Sequence, residues 1–219
     1  MNKLLGGIVI GALLTASVYG LVHMVMDDSS APEIPQDILA QRRSGMMDLI
    51  CELQLDLDGQ LVEGTARQPL EYHIHSEIYR ARPDVNAVMH THPQWSTFLT
   101  MTGVKYQPVY AQGVLLGDIP LMDSPLSINT KAMGEKLVEI LGPHPAVLLK
   151  AHGVVAVGAD IVECFALAAY VEENAYRQYM AMQIGTPYVF SEAEQKASRE
   201  KLWSASLFKK TWDHYRSKI

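Results

Sequence analysis

Cysteine is scarce in this chain, and its scarcity excludes two kinds of protein. Cys51 and Cys164 are the only cysteines among the 219 residues, and they lie far apart in no metal-binding or redox spacing. We therefore expect neither a disulfide framework nor a thiolate metal site, and we interpret both as small buried residues. Basic residues are outnumbered: the formal net charge is −6 with no basic patch, so we expect no nucleic-acid partner.

Internal repeats and low-complexity tracts are absent as well. The apolar fraction is 48%, which at this chain length suits one domain with a full hydrophobic core. We predict that this domain covers residues 27–219 and that residues 1–26 form a separate segment.

That first segment has almost no charge. Lys3 is followed by an uncharged run from Leu4 to Met26, which ends at Asp27-Asp28. At about 1.5 Å per residue the run is long enough to cross a bilayer, and its flanking charges favour a domain outside the cytoplasm. We therefore predict a signal or anchor segment, and a chain that is membrane-anchored or exported. Two alternatives stay open: a signal peptide cleaved near Val18-x-Gly20, and a buried strand over residues 21–26 in a cytoplasmic protein.

The order of the predicted elements favours an α/β fold. Apolar runs at residues 85–89 and 146–151 are typical of buried strands. Pro69 suits the first turn of a helix through Ala81, and Asp160 is the expected cap of a long apolar helix that runs to about Ile184. Residues 106–122 are predicted as further strands. This order indicates a mixed sheet covered by helices.

Histidine is the most informative residue type in the chain. The motif His90-Thr91-His92-Pro93 follows the first apolar run, and side chains two residues apart on a strand point to the same side. His152 closes the second apolar run, and Glu71 opens the segment that ends at His75. Two converging imidazoles are half of a tetrahedral metal site. The alternative for any one of them is a hydrogen-bonded core histidine, but five of the eight histidines fall in three short motifs.

The same motifs resemble those of the class II aldolase/adducin family, which includes L-fuculose-phosphate aldolase, ribulose-phosphate 4-epimerase and several decarboxylases of hydroxylated acids. The resemblance covers residues 53–185 and rests on order, spacing and flanking residues together. It implies a three-layer α/β fold, a mixed β-sheet covered by helices. The N-terminal part is atypical, because the first helix and strands of the family are not found. The matching residues are Glu71, His75, Ile78, Tyr79, Arg82 to Val85, His90, His92, Pro93, Leu149, His152 and Gly153.

The resemblance also implies roles at the site. Glu71 matches the acid/base glutamate of the family, which is a metal ligand in the resting state as well. Tyr110 lies near the position of the family's acidic tyrosine, with Tyr106 as the alternative register. His75 is interpreted as a supporting or structural residue. In the family three histidines hold a divalent metal, usually Zn²⁺, for which Mn²⁺, Fe²⁺ and Co²⁺ are the alternatives; they match His90, His92 and His152.

Two departures from the family bear on the substrate. The sugar-phosphate members place two serines before the glutamate, whereas this chain has Pro69, which lacks an amide hydrogen, and Leu70, which lacks a hydroxyl. The family's Gly-Asn-x-Ser-x-Arg segment, which contributes to the substrate site, is not found either. We therefore expect less affinity for phosphate than a sugar-phosphate aldolase needs.

These features predict a metal-dependent lyase, either an aldolase or a decarboxylase. Its expected substrate is a small hydroxy or aromatic acid, which reacts through an enolate or enediolate stabilised by the divalent metal on the three histidines. The alternatives are a sugar-phosphate aldolase or epimerase, a non-haem iron oxygenase of the same fold, and a non-catalytic adducin-like interaction module. The long apolar helix and the habit of the family also predict a homo-oligomer, with a tetramer as the expected form.

Overall fold

The computed structural model describes residues 53–64 and 68–218 of the chain. Its first elements are strand β1 (Leu53–Leu55) and strand β2 (Leu61–Gly64), which pair as an antiparallel hairpin. The turn between them contains Gly59, which adopts a positive φ of 79°. The predicted signal or anchor segment at residues 1–26 lies outside the described residues.

A four-stranded mixed sheet forms the centre of the described fold. Its strands are β3 (Ala87–Thr91), β4 (Leu121–Met122), β5 (Ala146–Leu149) and β6 (Gly153–Gly158). Their order across the sheet is β3-β6-β5-β4. Strand β6 is antiparallel to both of its neighbours, and β4 runs parallel to β5. Every residue of β3, β5 and β6 is buried, which explains the apolar sequences of β5 and β6 and of the first three residues of β3.

Helices cover both faces of this sheet. Helices α1 (Tyr72–Ala81) and α3 (Lys131–Leu141) lie on one face. On the other face lie α2 (Gln94–Met101), the long α4 (Ile161–Ile184) and, towards the C-terminus, α6 (Ala205–Arg216). Helix α5 (Glu192–Leu202) connects α4 to α6 and has no buried residue. This arrangement confirms the predicted three-layer α/β fold.

Alternation along the strands produces two separate cores. On one side, Val88 and Val155 pack with Ile74 of α1 and Leu137 of α3. The neighbouring residues of each strand point the other way, and their core with α4 includes Met89, Leu148, Val154, Ala156, Leu167 and Val171. Each fully buried aliphatic side chain contributes roughly 1.5–3 kcal/mol relative to an exposed one. The sheet is therefore held rigidly between two apolar layers.

The long helix α4 begins and ends where the sequence predicts. The Asp160 carboxylate accepts a hydrogen bond of 2.8 Å from the amide of Glu163, which satisfies one of the free N–H groups of the first turn. The helix ends at Ile184, directly before Gly185. The predicted cap and length are confirmed.

The prediction of strands over residues 106–122 is mostly wrong. Only Leu121–Met122 is a strand, and a short 3₁₀ helix covers Gly113–Leu115. Side-chain amides of α4 take the place of strand partners here. Asn174 accepts from the amide of Val109 and donates to the carbonyl of Gln107, and Gln178 bridges Gln107 and Lys105 in the same way. The backbone N–H and C=O groups of this segment therefore find hydrogen-bond partners without a sheet. The periodicity of the sequence does not reveal such side-chain partners.

The prediction of a membrane-anchored or exported chain is wrong for the part of the chain that the structure describes. Within residues 53–64 and 68–218, no helix combines the length and the apolar character that crossing a bilayer requires. The longest helix, α4, carries four charged residues: Glu163, Glu172, Glu173 and Arg177.

The turn between β5 and β6 brings two backbones unusually close together. Ala151 in this turn has a φ of 50°, and its amide donates to the hydroxyl of Thr100. Gly153 follows at the start of β6, where a Cβ atom would lie 2.3 Å from the carbonyl oxygen of Thr91 and 2.9 Å from the ring of His92. Only glycine lets β6 approach the end of β3 this closely.

We predict that Gly153→Ala destabilises the fold by about 1–3 kcal/mol, because β3 and β6 must move apart to admit the new methyl group. Urea unfolding followed by circular dichroism measures the loss. Gly185→Ala is the matched control, since nothing lies within 4 Å of a Cβ at that position. Equal stability of the two variants would contradict the close approach.

Candidate metal centre

His90 is held by both its strand and its ring. It lies in β3 opposite Val155 of β6, on the same face as Val88. Its Nδ1 lies 3.0 Å from the carbonyl oxygen of Val154. A carbonyl can only accept, so Nδ1 carries the proton and the Nε2 of neutral His90 carries a free lone pair. The fold thereby fixes the tautomer that a metal ligand needs.

His92 and His152 bring two more ring nitrogens to the same place. His92 comes directly after β3, and its Nε2 lies 3.0 Å from the Nε2 of His90. His152 ends the turn between β5 and β6, and its ring centroid lies 4.8 Å from that of His92 and 5.2 Å from that of His90. Because β3 and β6 are antiparallel, the end of one strand and the start of the other meet at one edge.

Glu71 supplies the carboxylate of the cluster. It stands directly before α1, and its Oε1 accepts a hydrogen bond of 2.9 Å from the amide of Ile128. Oε2 lies 3.3 Å from Nε2 of His90, and Oε1 lies 3.6 Å from Nε2 of His152. Burial raises the pKa of Glu71, but the hydrogen bond and charge of His90 when it is protonated, together with Ile128 and His152, outweigh burial and lower the pKa to about 2. Glu71 is therefore ionised at neutral pH.

His92 and His152, the two less buried imidazoles of the cluster, favour their neutral form. Partial burial, then the neighbouring histidines, lower the pKa of His92, and Glu71 opposes this effect. Burial also lowers the pKa of His152, while Glu71 raises it. A neutral imidazole is the form that binds a metal, because its second nitrogen keeps a lone pair.

The donor set fits a divalent cation. One ligand atom from each of Glu71, His90, His92 and His152 lies within 4.8 Å of the others. Four ligands at zinc bond lengths of about 2.0–2.1 Å stand roughly 3.3–3.4 Å apart in a tetrahedron. The observed separations of 3.0, 3.3 and 3.6 Å span that value. Lone pairs and a carboxylate this close together repel one another unless a positive charge lies between them.

The structure thus brings together the four residues that the sequence singled out as metal ligands. Their convergence follows from the strand alternation at His90 and from the antiparallel pairing that carries His152 to the same edge. Two backbone groups, the Val154 carbonyl and the Ile128 amide, were missed, because main-chain partners leave no signal in residue type. His75 lies nearby in α1 and is buried; burial and then His90 lower its pKa to about 4.

The two candidate tyrosines are placed differently. The hydroxyl of Tyr110 donates to Oε2 of Glu173 in α4 at 3.1 Å, and the Arg177 guanidinium lies 3.9 Å from the Tyr110 ring centroid. Burial, then the charge of Glu173, raises the pKa of Tyr110 well above its ordinary value. Tyr106 is buried with 2% of its surface exposed. Among the described residues, neither hydroxyl forms a hydrogen bond to the four clustered side chains, so the catalytic role of Tyr110 stays a prediction.

The fold and this cluster together define a class of protein. Residues 47–179, more than half of the chain, match the profile of the Class II Aldolase and Adducin N-terminal domain, and the chain belongs to this family. The L-fuculose phosphate aldolase of Methanocaldococcus jannaschii is 32% identical over 125 residues, which cover 56% of this chain and 65% of that protein. The 3,4-dihydroxyphthalate decarboxylase of Rhodococcus jostii is 28% identical over 123 residues, covering 53% of this chain and 51% of the decarboxylase.

A solved structure supports the same fold. An L-fuculose 1-phosphate aldolase superposes with a TM-score of 0.63 and 24% identity, over 68% of this chain and 70% of that one. The chain thus spans about half to two thirds of the length of these two curated relatives. The relatives include both aldolases and decarboxylases, which are all carbon–carbon lyases.

We predict that Zn²⁺ stabilises the chain and that His92→Ala and His152→Ala abolish this effect, because each removes one donor of the cluster. At a Zn²⁺ concentration of 100 times the Kd, binding adds about 2.7 kcal/mol to the free energy of unfolding. Thermal unfolding with and without Zn²⁺ measures it. His144→Ala, outside the cluster, should keep the full stabilisation; a wild-type chain indifferent to Zn²⁺ would disprove the centre.

Proposed function

We propose that this chain is a metal-dependent carbon–carbon lyase that acts on a small hydroxy or aromatic acid. The observation that carries the proposal is the convergence of three imidazoles and one carboxylate at the edge of the sheet. The curated relatives of this chain include aldolases and decarboxylases of the same family, which supports the reaction class. The partner of the site is a small-molecule substrate. The predicted homo-oligomer remains part of the proposal.

The residues that would hold the ion are His90, His92, His152 and, before substrate arrives, Glu71. Zn²⁺ suits this set, with Mn²⁺, Fe²⁺ and Co²⁺ as alternatives. A bound divalent ion supplies a Lewis acid that stabilises the negative charge left on the substrate when a carbon–carbon bond breaks. The Val154 carbonyl, through Nδ1 of His90, keeps one nitrogen turned towards the ion position.

Glu71 is placed to move protons in this reaction. Its carboxylate stands beside two of the imidazoles and is ionised, so it can accept a proton from a substrate hydroxyl and return it to the carbon that the cleavage leaves behind. The amide of Ile128 holds Oε1 in place, which leaves Oε2 as the oxygen that exchanges the proton. Because Oε1 is held in place, the position of Oε2 sets the direction in which the proton moves.

The surface beside the cluster favours a substrate with an apolar body. Leu70, next to Glu71, is 66% exposed. Leu126, two residues before the amide that binds Glu71, is 65% exposed. Leu70, Leu126 and Pro69 offer no side-chain hydrogen-bond donor to a phosphate dianion, and a dianion desolvated without donors costs several kcal/mol. The face of an aromatic ring would instead pack against the two leucines.

A sugar-phosphate aldolase is the second candidate. It is favoured by the aldolase relative, whose name gives a phosphorylated sugar as its substrate. The two candidates share the metal and Glu71 and differ only in what surrounds the substrate. Whether the chain binds phosphate therefore distinguishes the two candidate functions.

We predict that Glu71→Gln lowers the rate of cleavage about 10²–10⁴-fold while the fold and most of the metal affinity remain, because the amide keeps the shape but cannot accept the proton. Single-turnover rates with Zn²⁺-loaded protein measure this. The control is Glu77→Gln, which changes a buried carboxylate of α1 outside the cluster. Wild-type turnover by Glu71→Gln would exclude the role.

We predict that a hydroxylated aromatic acid is cleaved and that inorganic phosphate and a ketose phosphate do not compete at micromolar concentration. Leu126→Ser should reduce kcat/KM for the acid by about 10-fold through lost apolar contact. Ile184→Ser, which changes an exposed side chain at the end of α4, is the matched control. Efficient cleavage of the ketose phosphate, or tight inhibition by phosphate, would instead establish the sugar-phosphate aldolase.

A further inference from the structure

The backbone of His92 is held by the sheet less firmly than that of His90. Strand β3 ends at Thr91, so the sheet holds the backbone of His92 from one side only. Its side chain is exposed, and within the described part of the chain its ring forms one hydrogen bond, with His90. On its other side, Pro93 leads directly into α2. The position of His92 therefore depends on how firmly the start of α2 is held.

Glu172 holds the start of α2. This residue lies in the middle of α4 with only 4% of its surface exposed. Its Oε1 accepts from the amide of Trp95 at 2.7 Å, and its Oε2 accepts from both the amide and the hydroxyl of Ser96 at 2.9 Å. Pro93, at the N-cap position, forms no side-chain hydrogen bond to α2. A residue far along the chain thus satisfies N–H groups that a local cap would otherwise bind.

The chemistry of this contact makes it strong. A carboxylate at the N-terminus of a helix meets the positive end of the helix dipole, and its hydrogen bonds are charge-assisted. Any shift of α2 would leave the Glu172 carboxylate buried without partners, which is strongly unfavourable. Helix α4 also packs on β3 and β6, which lead to His90 and His152. Glu172 therefore ties the segment of His92 to the same elements that place the other two histidines.

We propose that Glu172 is a positioning residue of the metal centre, which holds the start of α2 so that the ring of His92 points at the ion. The inference rests on the proposed metal-binding function. It gives a role to a buried carboxylate in the middle of α4, a placement that is costly unless the carboxylate serves the neighbouring elements.

The test measures the affinity for Zn²⁺ by chelator competition in four proteins: wild type, Glu172→Gln, Ser96→Ala and Gln178→Met. Glu172→Gln should weaken binding about 10–100-fold, the usual effect of losing a residue that orients a ligand. Ser96→Ala, which keeps both amide contacts, should weaken it less. Gln178→Met is the matched control: it removes two buried hydrogen bonds from the same helix, away from His92, and should leave the affinity unchanged.

The visible absorption of Co²⁺-loaded protein supplies a readout that loss of stability alone would not move, because it reports the ligands and geometry around the ion. The Glu172→Gln spectrum should differ from that of the wild type, and the Gln178→Met spectrum should match the wild type. Wild-type affinity and spectrum in Glu172→Gln would overturn the inference and leave the metal centre intact, as would an equal loss in Gln178→Met. If Glu172→Gln does not fold, unchanged affinity in Ser96→Ala overturns it. A wild-type chain that binds no Zn²⁺ overturns the proposed function and this inference together.

Discussion

The antiparallel pairing of β3 with β6 is the constraint on which the rest of this structure depends. It sets the end of one strand against the start of the other, with Thr91 opposite Val154. His90 and His92 therefore meet His152 although some sixty residues separate them along the chain. The pairing also requires Gly153, since any larger residue would force the two backbones apart. The register of β3 against β6 thus determines which side chains meet at this edge of the sheet.

Placing these groups together is costly for the protein without a cation. Three imidazole nitrogens and a carboxylate occupy a space only 4.8 Å across, and like-charged lone pairs at such distances repel one another. Two apolar cores hold the sheet rigid enough to keep them there. Part of the stability of the domain therefore offsets this repulsion, which a bound cation would relieve, an arrangement usual for functional sites.

Much of the fold and most of the cluster could be predicted from the sequence, because both follow from local patterns. Alternation placed His90 and His92 on one side, and the cap at Asp160 located the long helix. The strands expected over residues 106–122 failed, because side-chain amides of Asn174 and Gln178 satisfy that backbone instead. Glu172 was missed for the same reason, since its partners lie about 76 residues away in the sequence. Sequence patterns fail to predict the structure where the hydrogen-bond partner of a backbone group is a polar side chain far away in the sequence.

Helix α4 therefore has a second consequence, for the way in which the protein opens. The amides of Ser96, Gln107 and Val109 all donate to side chains of this one helix. None of these three hydrogen bonds can break by local fraying of its own segment without uncovering a buried polar group on α4. The loop before the 3₁₀ helix and the segment that follows the paired histidines thus belong to one cooperative unit, protected from solvent exchange only while α4 stays packed.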